Sequence, residues 1–296
     1  MRALFIAILV CLAGPAHAAL NVFACEPEWA ALVQELGGDK VSVYAATQAL
    51  QDPHRVEARP SLIAKMRNAQ LVVCSGAELE VGWLPAILRE AGNGGVQPGN
   101  PGYFEAAQLV VRLEVPSRLD RADGDVHAAG NPHVHLDPRN ILTVATPLAK
   151  RMGELDAANA TAYEMRQKAF AEKWRAALVR WEAEGAPFKG ARVITQHKNL
   201  TYLVNWLGMS ETATIEPKPG MEPTSAHLAQ LLARIKAQPP KLILRAAYDT
   251  PRPGEWLAEQ SHVPLVTLPF TVGGSERAKD LFGLFDDTLA KLNAAR

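Results

Sequence analysis

The sequence predicts an α/β protein of two lobes with parallel sheets, joined by one long rigid helix. Short strand-like runs alternate with helical stretches in the first half of the chain, and the same alternation returns after residue 190. Between the halves lies a helical stretch without proline or glycine over residues 157–184. We therefore expect an N-terminal lobe at 19–155, a connecting helix at 156–185 and a C-terminal lobe at 186–296.

Residues 1–18 are expected to be a secretory signal cleaved after Ala18. They combine a positive charge at Arg2, an apolar run and a small-x-small ending at 16–18. No later stretch reaches the roughly 18 uninterrupted apolar residues of a membrane span. We therefore expect an exported, soluble protein of the periplasm.

The composition excludes several classes of protein. The chain has 296 residues, 48% of them hydrophobic, and its 31 Lys and Arg balance 31 Asp and Glu. This hydrophobic content argues against a disordered chain, and the charge balance argues against a strongly basic nucleic-acid binder. We expect no nucleic-acid partner and a monomeric protein.

The first lobe is predicted from short apolar runs for strands and from three-to-four-residue apolar spacing for helices. Strands are expected at 21–25, 41–45 and 71–74, and helices at 28–36, 61–68 and 83–91. Glycines at 37–38 and 92–94 mark helix stops.

The connecting helix is expected to begin with Asp156 as its N-cap and to stop at Gly185. An aromatic and aliphatic stripe recurs along it near the helical period, which we interpret as core: Tyr163, Phe170, Trp174, Leu178 and Trp181. At 1.5 Å per residue the helix would be roughly 40 Å long. The second lobe then has predicted strands at 191–196, 242–246 and 265–268 and helices at 200–207, 226–237 and 275–292.

Two cysteines beyond the predicted signal, Cys25 and Cys74, each end an apolar run. Both could lie at the C-terminal ends of neighbouring parallel strands and form one disulfide in an oxidising compartment. Two separate buried thiols are the alternative.

Three histidines occupy positions where parallel α/β sheets collect ligands. His54 follows a strand and its turn, His133 lies between a loop and the next helix, and His197 ends the run ARVITQH at 191–197. We expect their imidazoles to converge between the lobes. Three imidazole nitrogens and one oxygen suit tetrahedral Zn²⁺, whereas Mg²⁺ and Ca²⁺ prefer oxygen ligands. His227 and His262 have no acidic or histidine neighbours, and we expect solvated or capping roles for them.

Four motifs together resemble the zinc and manganese solute-binding proteins of ABC uptake systems, cluster A-I. They are DPH at 52–54 followed by RPS at 59–61, NPHVHLDP at 131–138, ITQHKNLTYL at 194–203 and MEPTSAHL at 221–228. The resemblance implies His54, His133 and His197 as ligands, and capture of Zn²⁺ between the lobes as transported cargo. It also implies delivery to an inner-membrane ABC permease with its cytoplasmic ATPase, with a periplasmic metallochaperone as a further candidate partner.

The resemblance leaves the remaining ligands open. His135 stands where the family usually has an aromatic residue, so it is either a packing substitute or an auxiliary ligand. His127 resembles the histidine-bearing flap of zinc-binding members, and a plain surface loop is the alternative. The acid that commonly follows a late strand is missing from 266–274. Water, Asp249 or Glu216 are the candidates for the fourth position, with water or Asp249 favoured.

Three other functions are alternatives to zinc capture. A manganese-binding protein of the same type is the nearest alternative. A periplasmic binder of a siderophore or cobalamin would need an aromatic-lined cleft, and only 6% of the residues are aromatic. A zinc hydrolase would fit an open fourth position, but the H-E-x-x-H, G-x-S-x-G and P-loop motifs are absent from the sequence. We therefore expect a protein that is not an enzyme.

Overall fold

A computed structural model describes residues 19–118, 124 and 127–296. The predicted signal at 1–18 lies outside the described residues. The described part contains two parallel sheets of four strands, one in each half of the chain, with strand orders β2-β1-β3-β4 and β6-β5-β7-β8. Among the helices of the described part, none combines the length and the apolar character that crossing a membrane requires.

The N-terminal lobe forms around the first sheet. Its strands are β1 (Leu20–Ala24), β2 (Val41–Ala45), β3 (Leu71–Cys74) and β4 (Tyr103–Glu105). Its helices are α1 (Pro27–Gly37), α2 (Pro60–Arg67), α3 (Leu84–Ala91) and α4 (Pro138–Leu155). β1 pairs with β2 from Leu20 opposite Val41 to Ala24 opposite Ala45. Because successive side chains of a strand point to opposite faces, Val22 and Ala24 join one core cluster while Phe23 and Cys25 join another.

The C-terminal lobe repeats this arrangement. Its strands are β5 (Arg192–Thr195), β6 (Ser210–Thr214), β7 (Leu242–Ala246) and β8 (Leu265–Leu268). Its helices are α6 (Thr201–Trp206), α7 (Ser225–Ala237), α8 (Pro251–Ser261) and α9 (Leu281–Ala294), and α5 (Ala160–Gly185) precedes them all. Val193 and Ile194 of β5 again belong to clusters on opposite faces of the sheet.

The long helix begins later than predicted. Asp156 does not cap it, because the backbone N–H of Asp156 still bonds the carbonyl of Met152 in the last turn of α4. Residues 157–159 form a 3₁₀ turn, and α5 starts at Ala160. The Asp156 carboxylate instead accepts the Tyr163 hydroxyl at 2.6 Å. The last helix is also shorter than predicted, because Asp280 caps α9 by accepting the N–H of Gly283 at 2.7 Å.

One continuous core joins the two lobes through α5. The predicted stripe is buried at Tyr163, Phe170, Trp174 and Trp181, with Leu178 partly buried against the same cluster. Trp174 packs against Trp181 and against Phe282 and Phe285 of α9, with ring centroids 4.8–5.7 Å apart. The helix is therefore packed into the protein along one face rather than spanning solvent between lobes.

A disulfide joins Cys25 and Cys74, whose Cα atoms lie 4.8 Å apart. It follows from the topology, because β1 and β3 are parallel neighbours and both cysteines lie at their C-terminal ends. Both residues are fully buried. The link fixes the edge of the N-terminal sheet from which site-bearing loops depart.

Candidate metal centre

Four imidazole rings meet in the cleft between the lobes: those of His54, His127, His133 and His197, here called the histidine cluster. Five pairs of these rings have centroids 5.2–6.5 Å apart. Nε2 of His54 lies 3.2 Å from Nε2 of His127. Two nitrogens bound tetrahedrally to one Zn²⁺ at about 2.0–2.1 Å stand roughly 3.3 Å apart. This pair therefore has the spacing of two ligands on one ion.

His54 is positioned by the loop that follows β2. Its Nδ1 lies 2.8 Å from Oδ1 of Asp52, which also accepts the backbone N–H of His54 at 3.0 Å. The indole N–H of Trp83 donates to the carbonyl of Pro53 at 2.9 Å and holds the same loop. The pKa of Asp52 is lower than its usual value. Burial alone would raise it, but the hydrogen bonds from His54 and the charge of His54 together have the larger effect. An ionised Asp52 thus holds the Nδ1 proton of His54.

His133 is the most buried member of the cluster. Its Nδ1 donates to Oδ1 of Asn131 at 3.0 Å, and the amide of Asn131 donates to Glu114 at 3.0 Å and to the Lys198 carbonyl at 2.7 Å. Nε2 of His133 is buried and has no hydrogen-bond partner among the described residues. Burial and then the neighbouring imidazoles lower the pKa of His133 well below its usual value. The ring is therefore neutral and offers an unpaired nitrogen lone pair.

His197 follows β5 and reaches the cluster from the C-terminal lobe. Its Nδ1 lies 2.7 Å from Oε2 of Glu216. Burial lowers the pKa of His197, but the hydrogen bond and charge of Glu216, together with the charges of Asp249 and Asp52, outweigh it and raise the pKa. The Glu216 oxygen that faces His197 also accepts the N–H of Gly220 at 2.9 Å. Glu216 thus orients His197.

These three histidines share one arrangement. In each, Nδ1 faces an oxygen acceptor supplied by a neighbouring side chain, so Nε2 is the ring nitrogen that is left for another partner. Metal-ligating histidines almost always donate their other ring N–H in this way, which fixes the tautomer and makes the ligating nitrogen more basic. The cluster therefore has the chemistry of a preorganised site for a transition-metal ion.

Asp249 borders a cavity of about 470 Å³ that is also lined by His54 and His197. Its Oδ2 accepts the N–H of Ala246 at 2.9 Å and its Oδ1 accepts the amide of Asn199 at 3.1 Å. Burial raises the pKa of Asp249 to about 6. Oδ2 therefore holds the turn that follows β7, and Oδ1 ties this turn to Asn199 in the segment after β5.

His135 is placed differently from the four clustered rings. Its Nε2 donates to the carbonyl of Phe270 at 2.9 Å, and its Nδ1 lies 3.0 Å from Oε1 of Glu28. Its side chain is fully buried, and its ring packs edge-on to those of Phe270 and Trp29. The described structure thus brings His127 into the cluster and uses His135 to join the two lobes.

The orienting residues Asp52 and Asn131 are not among the predicted site residues, although the sequence contains a pattern that indicates them. The chain carries Asp52-Pro53-His54 and Asn131-Pro132-His133, the same Asx-Pro-His pattern twice. In both, the Asx oxygen accepts the backbone N–H of the histidine as well as its Nδ1–H. Asx side chains commonly bond the backbone two residues ahead, so the pattern predicts a preoriented imidazole.

A second group of ligand-type side chains lies in the N-terminal lobe. Sγ of Cys25, Sγ of Cys74 and a carboxylate oxygen of Glu80 lie within 4.8 Å of one another. Because the two sulfurs form a disulfide, this group offers no thiolate to a metal.

The family model described as zinc-uptake complex component A, periplasmic, matches residues 22–295. The chain belongs to this ZnuA family. Among curated relatives, the manganese ABC transporter substrate-binding lipoprotein scaA of Streptococcus gordonii is 24% identical over 267 residues, covering 88% of this chain and 83% of that protein. These matches confirm the resemblance seen in the motifs.

Solved structures share the fold of this ZnuA-family protein. The crystal structure of ZnuA has a TM-score of 0.76 at 22% identity and covers 94% of this chain and 100% of its own. FpvC from Pseudomonas aeruginosa in complex with Mn²⁺ has a TM-score of 0.79 at 26% identity. The match covers 93% of this chain and 98% of the FpvC chain. The predicted α/β class with two parallel sheets and one long helix is confirmed.

Membership in the ZnuA family establishes the general function. The protein is an extracytoplasmic solute-binding protein that binds a metal ion for ABC uptake, and its transporter supplies a permease and an ATPase as partners. The family is not enzymatic, so the hydrolase alternative is excluded and the prediction of a non-enzyme is confirmed.

Proposed function

We propose that this protein captures Zn²⁺ in the periplasm and delivers it to an inner-membrane ABC permease. The observation that carries the proposal is the all-imidazole character of the cluster, with three Nδ1 atoms held by oxygen acceptors and Nε2 left for the ion. Imidazole nitrogen suits Zn²⁺, whereas Mn²⁺ sites rely more on carboxylates.

His127 supplies the fourth ligand in this proposal. The distance of 3.2 Å between its Nε2 and that of His54 supports this role. Asp249 is an alternative fourth ligand, because each of its oxygens accepts only one hydrogen bond from the described residues and keeps a lone pair for a metal ion. A water molecule in place of His127 is the remaining alternative.

Binding and proton release are linked at His197. Glu216 keeps the Nδ1 proton of His197, so the proton displaced by Zn²⁺ comes from Nε2. His133 is already neutral and gives up no proton. Lowering the pH therefore weakens zinc binding through His197 first.

Export and delivery complete the proposal. The signal at 1–18 is cleaved after Ala18, the monomer works in the periplasm, and a metallochaperone is a candidate donor of the ion. A manganese-binding role is the second candidate, because scaA of Streptococcus gordonii is named as a manganese transporter component.

The test is metal titration of the mature protein and of single His→Ala variants. Alanine at His54, His127, His133 or His197 should weaken zinc binding by about tenfold or more, since each removes one ligand. His227→Ala and His262→Ala are the matched controls and should bind like the wild type. Competition between Zn²⁺ and Mn²⁺ should favour zinc. Tighter binding of Mn²⁺, or equal losses in all six variants, would refute the proposal.

A further inference from the structure

The turn that follows β3 has an unusual backbone. Three consecutive residues, Gly76, Ala77 and Glu78, have positive φ values of 74°, 50° and 69°. Such values are unfavourable for residues with a Cβ atom and persist where the surrounding structure enforces them. Glu78 is exposed, so burial of its side chain does not offset the strain.

The carboxylate of Glu78 has a specific partner. It accepts a short hydrogen bond from the backbone N–H of Ala128, the residue after His127. A glycine at position 78 would adopt this backbone more easily, but it could not make this bond. The bond gives a physical reason for a glutamate at a strained position.

The same segment also contacts the loop that carries His54. A Cβ on Gly82 would lie 3.1 Å from the carbonyl of His54, and Trp83 donates to the carbonyl of Pro53. Residues 76–83, here called the bridging segment, therefore touch the two loops that bring His54 and His127 together. The bridging segment begins two residues after Cys74, which forms the disulfide.

We propose that Glu78 is a positioning residue for metal binding, which acts by holding the backbone beside His127 so that its Nε2 faces that of His54. The proposal rests on the proposed function, in which His127 is a zinc ligand. Without the Glu78 carboxylate, the loop at 127–130 loses its bond to the bridging segment. The ion is then held by three fixed imidazoles and one that is no longer preoriented.

The test is a double-mutant cycle on the mature protein with Glu78→Gly, His127→Ala and the combined variant. Zinc affinity is measured by competition with a chromophoric chelator, and ligand geometry by the visible absorption of bound Co²⁺. Glu78→Gly should weaken zinc binding by about tenfold and change the Co²⁺ spectrum, as loss of an outer-shell partner does. In the His127→Ala background the same substitution should have no further effect.

Two further variants separate positioning from folding. Glu78→Gln keeps an acceptor oxygen and should bind zinc within about threefold of the wild type, since the hydrogen bond is retained. Ala77→Gly relaxes the same turn without removing the carboxylate and should leave zinc affinity and the Co²⁺ spectrum unchanged. Thermal unfolding of each variant verifies that it is folded.

The outcomes distinguish this inference from the proposed function. Equal losses from Glu78→Gly in the wild-type and His127→Ala backgrounds would overturn the role of Glu78, as would wild-type zinc affinity in Glu78→Gly. Wild-type affinity in His127→Ala would overturn it too. If the unmodified protein fails to bind zinc, the proposed function itself is wrong.

Discussion

Oε2 of Glu216 lies 2.7 Å from Nδ1 of His197 and also accepts the N–H of Gly220 at 2.9 Å. The loop after β6 is thus tied to a histidine after β5. One carboxylate oxygen therefore both orders the loop and sets the basicity of an imidazole in the cluster.

Replacing Glu216 by Gln should make the imidazole of His197 less basic. At about pH 8 zinc binding should weaken by about tenfold, because the ligand nitrogen of His197 becomes less basic. The carboxylate raises the pKa of His197, so its loss lowers that pKa and delays proton competition to lower pH. The difference in Kd between wild type and variant should therefore narrow as the pH falls towards about 6, measured by chelator competition. A difference that widens would contradict the assignment.

Asn131 should be needed for zinc affinity without touching the ion. Its Oδ1 accepts the Nδ1–H of His133, and its amide is held by Glu114 and by the Lys198 carbonyl. Asn131→Ala leaves the tautomer of His133 unspecified. We therefore expect zinc affinity, measured by titration, to fall by about tenfold or more. Asn140→Ala, whose side chain donates to the carbonyl of Val134, is the control and should lose less.

The buried carboxyl groups of Glu26 and Glu80 should make the free energy of unfolding decrease as the pH rises from about 4.5 to about 7. Burial, with the charges of nearby glutamates, raises the pKa of Glu26 well above its usual value, and burial raises that of Glu80 to about 7 from 4.5. In this range the folded protein holds more protons than the unfolded chain, so stability decreases as the pH rises.

Glu26→Gln should therefore raise the melting temperature at about pH 8 and change it little at about pH 4.5. One Glu26 oxygen accepts from Ser75, and the new amide can donate to Glu80 in place of the shared proton. Thermal unfolding at both pH values measures this. Glu90→Gln, at an exposed position of α3, should give no pH-dependent change; an equal shift in both variants would count against the carboxyl pair.

Removal of the disulfide should lower stability by about 4 kcal/mol, because the bond closes a loop of about 50 residues in the unfolded chain. Denaturant unfolding of a Cys25→Ala, Cys74→Ala double variant measures the loss. Zinc binding of the folded variant should persist, since neither cysteine contacts the histidine cluster. An unchanged unfolding midpoint would show that the bond contributes no stability.

The sequence predicted the strands and helices with the clearest apolar spacing, but several elements escaped it. β4 has three residues, and β6 reads Ser-Glu-Thr-Ala-Thr, so neither presents a long apolar run. α8 begins Pro-Arg-Pro-Gly, a composition that favours turns. The secondary structure of these segments is decided by their packing against the rest of the lobe. The local sequence pattern does not show that packing.

Only the part of the candidate site that has local sequence motifs could be predicted. His54 and His197 follow the strands β2 and β5, and sequence motifs surround all three predicted ligands, His54, His133 and His197. The role of His127 depends on Glu78 and His54, which are 49 and 73 residues away along the chain. The proton-sharing Glu26 and Glu80 likewise meet only after β1 and β3 pair. Such long-range contacts have no local signature.

The aromatic face of α5 has a consequence for how the chain must be made. Trp174 and Trp181 are covered by α9, which is the last helix of the chain, while Tyr163 packs near its beginning into the same core. A fragment that ends before α9 would leave the indole rings of Trp174 and Trp181 in water and should aggregate. The interior is therefore complete only once α9 has been made, and the protein should melt in a single transition despite its two sheets.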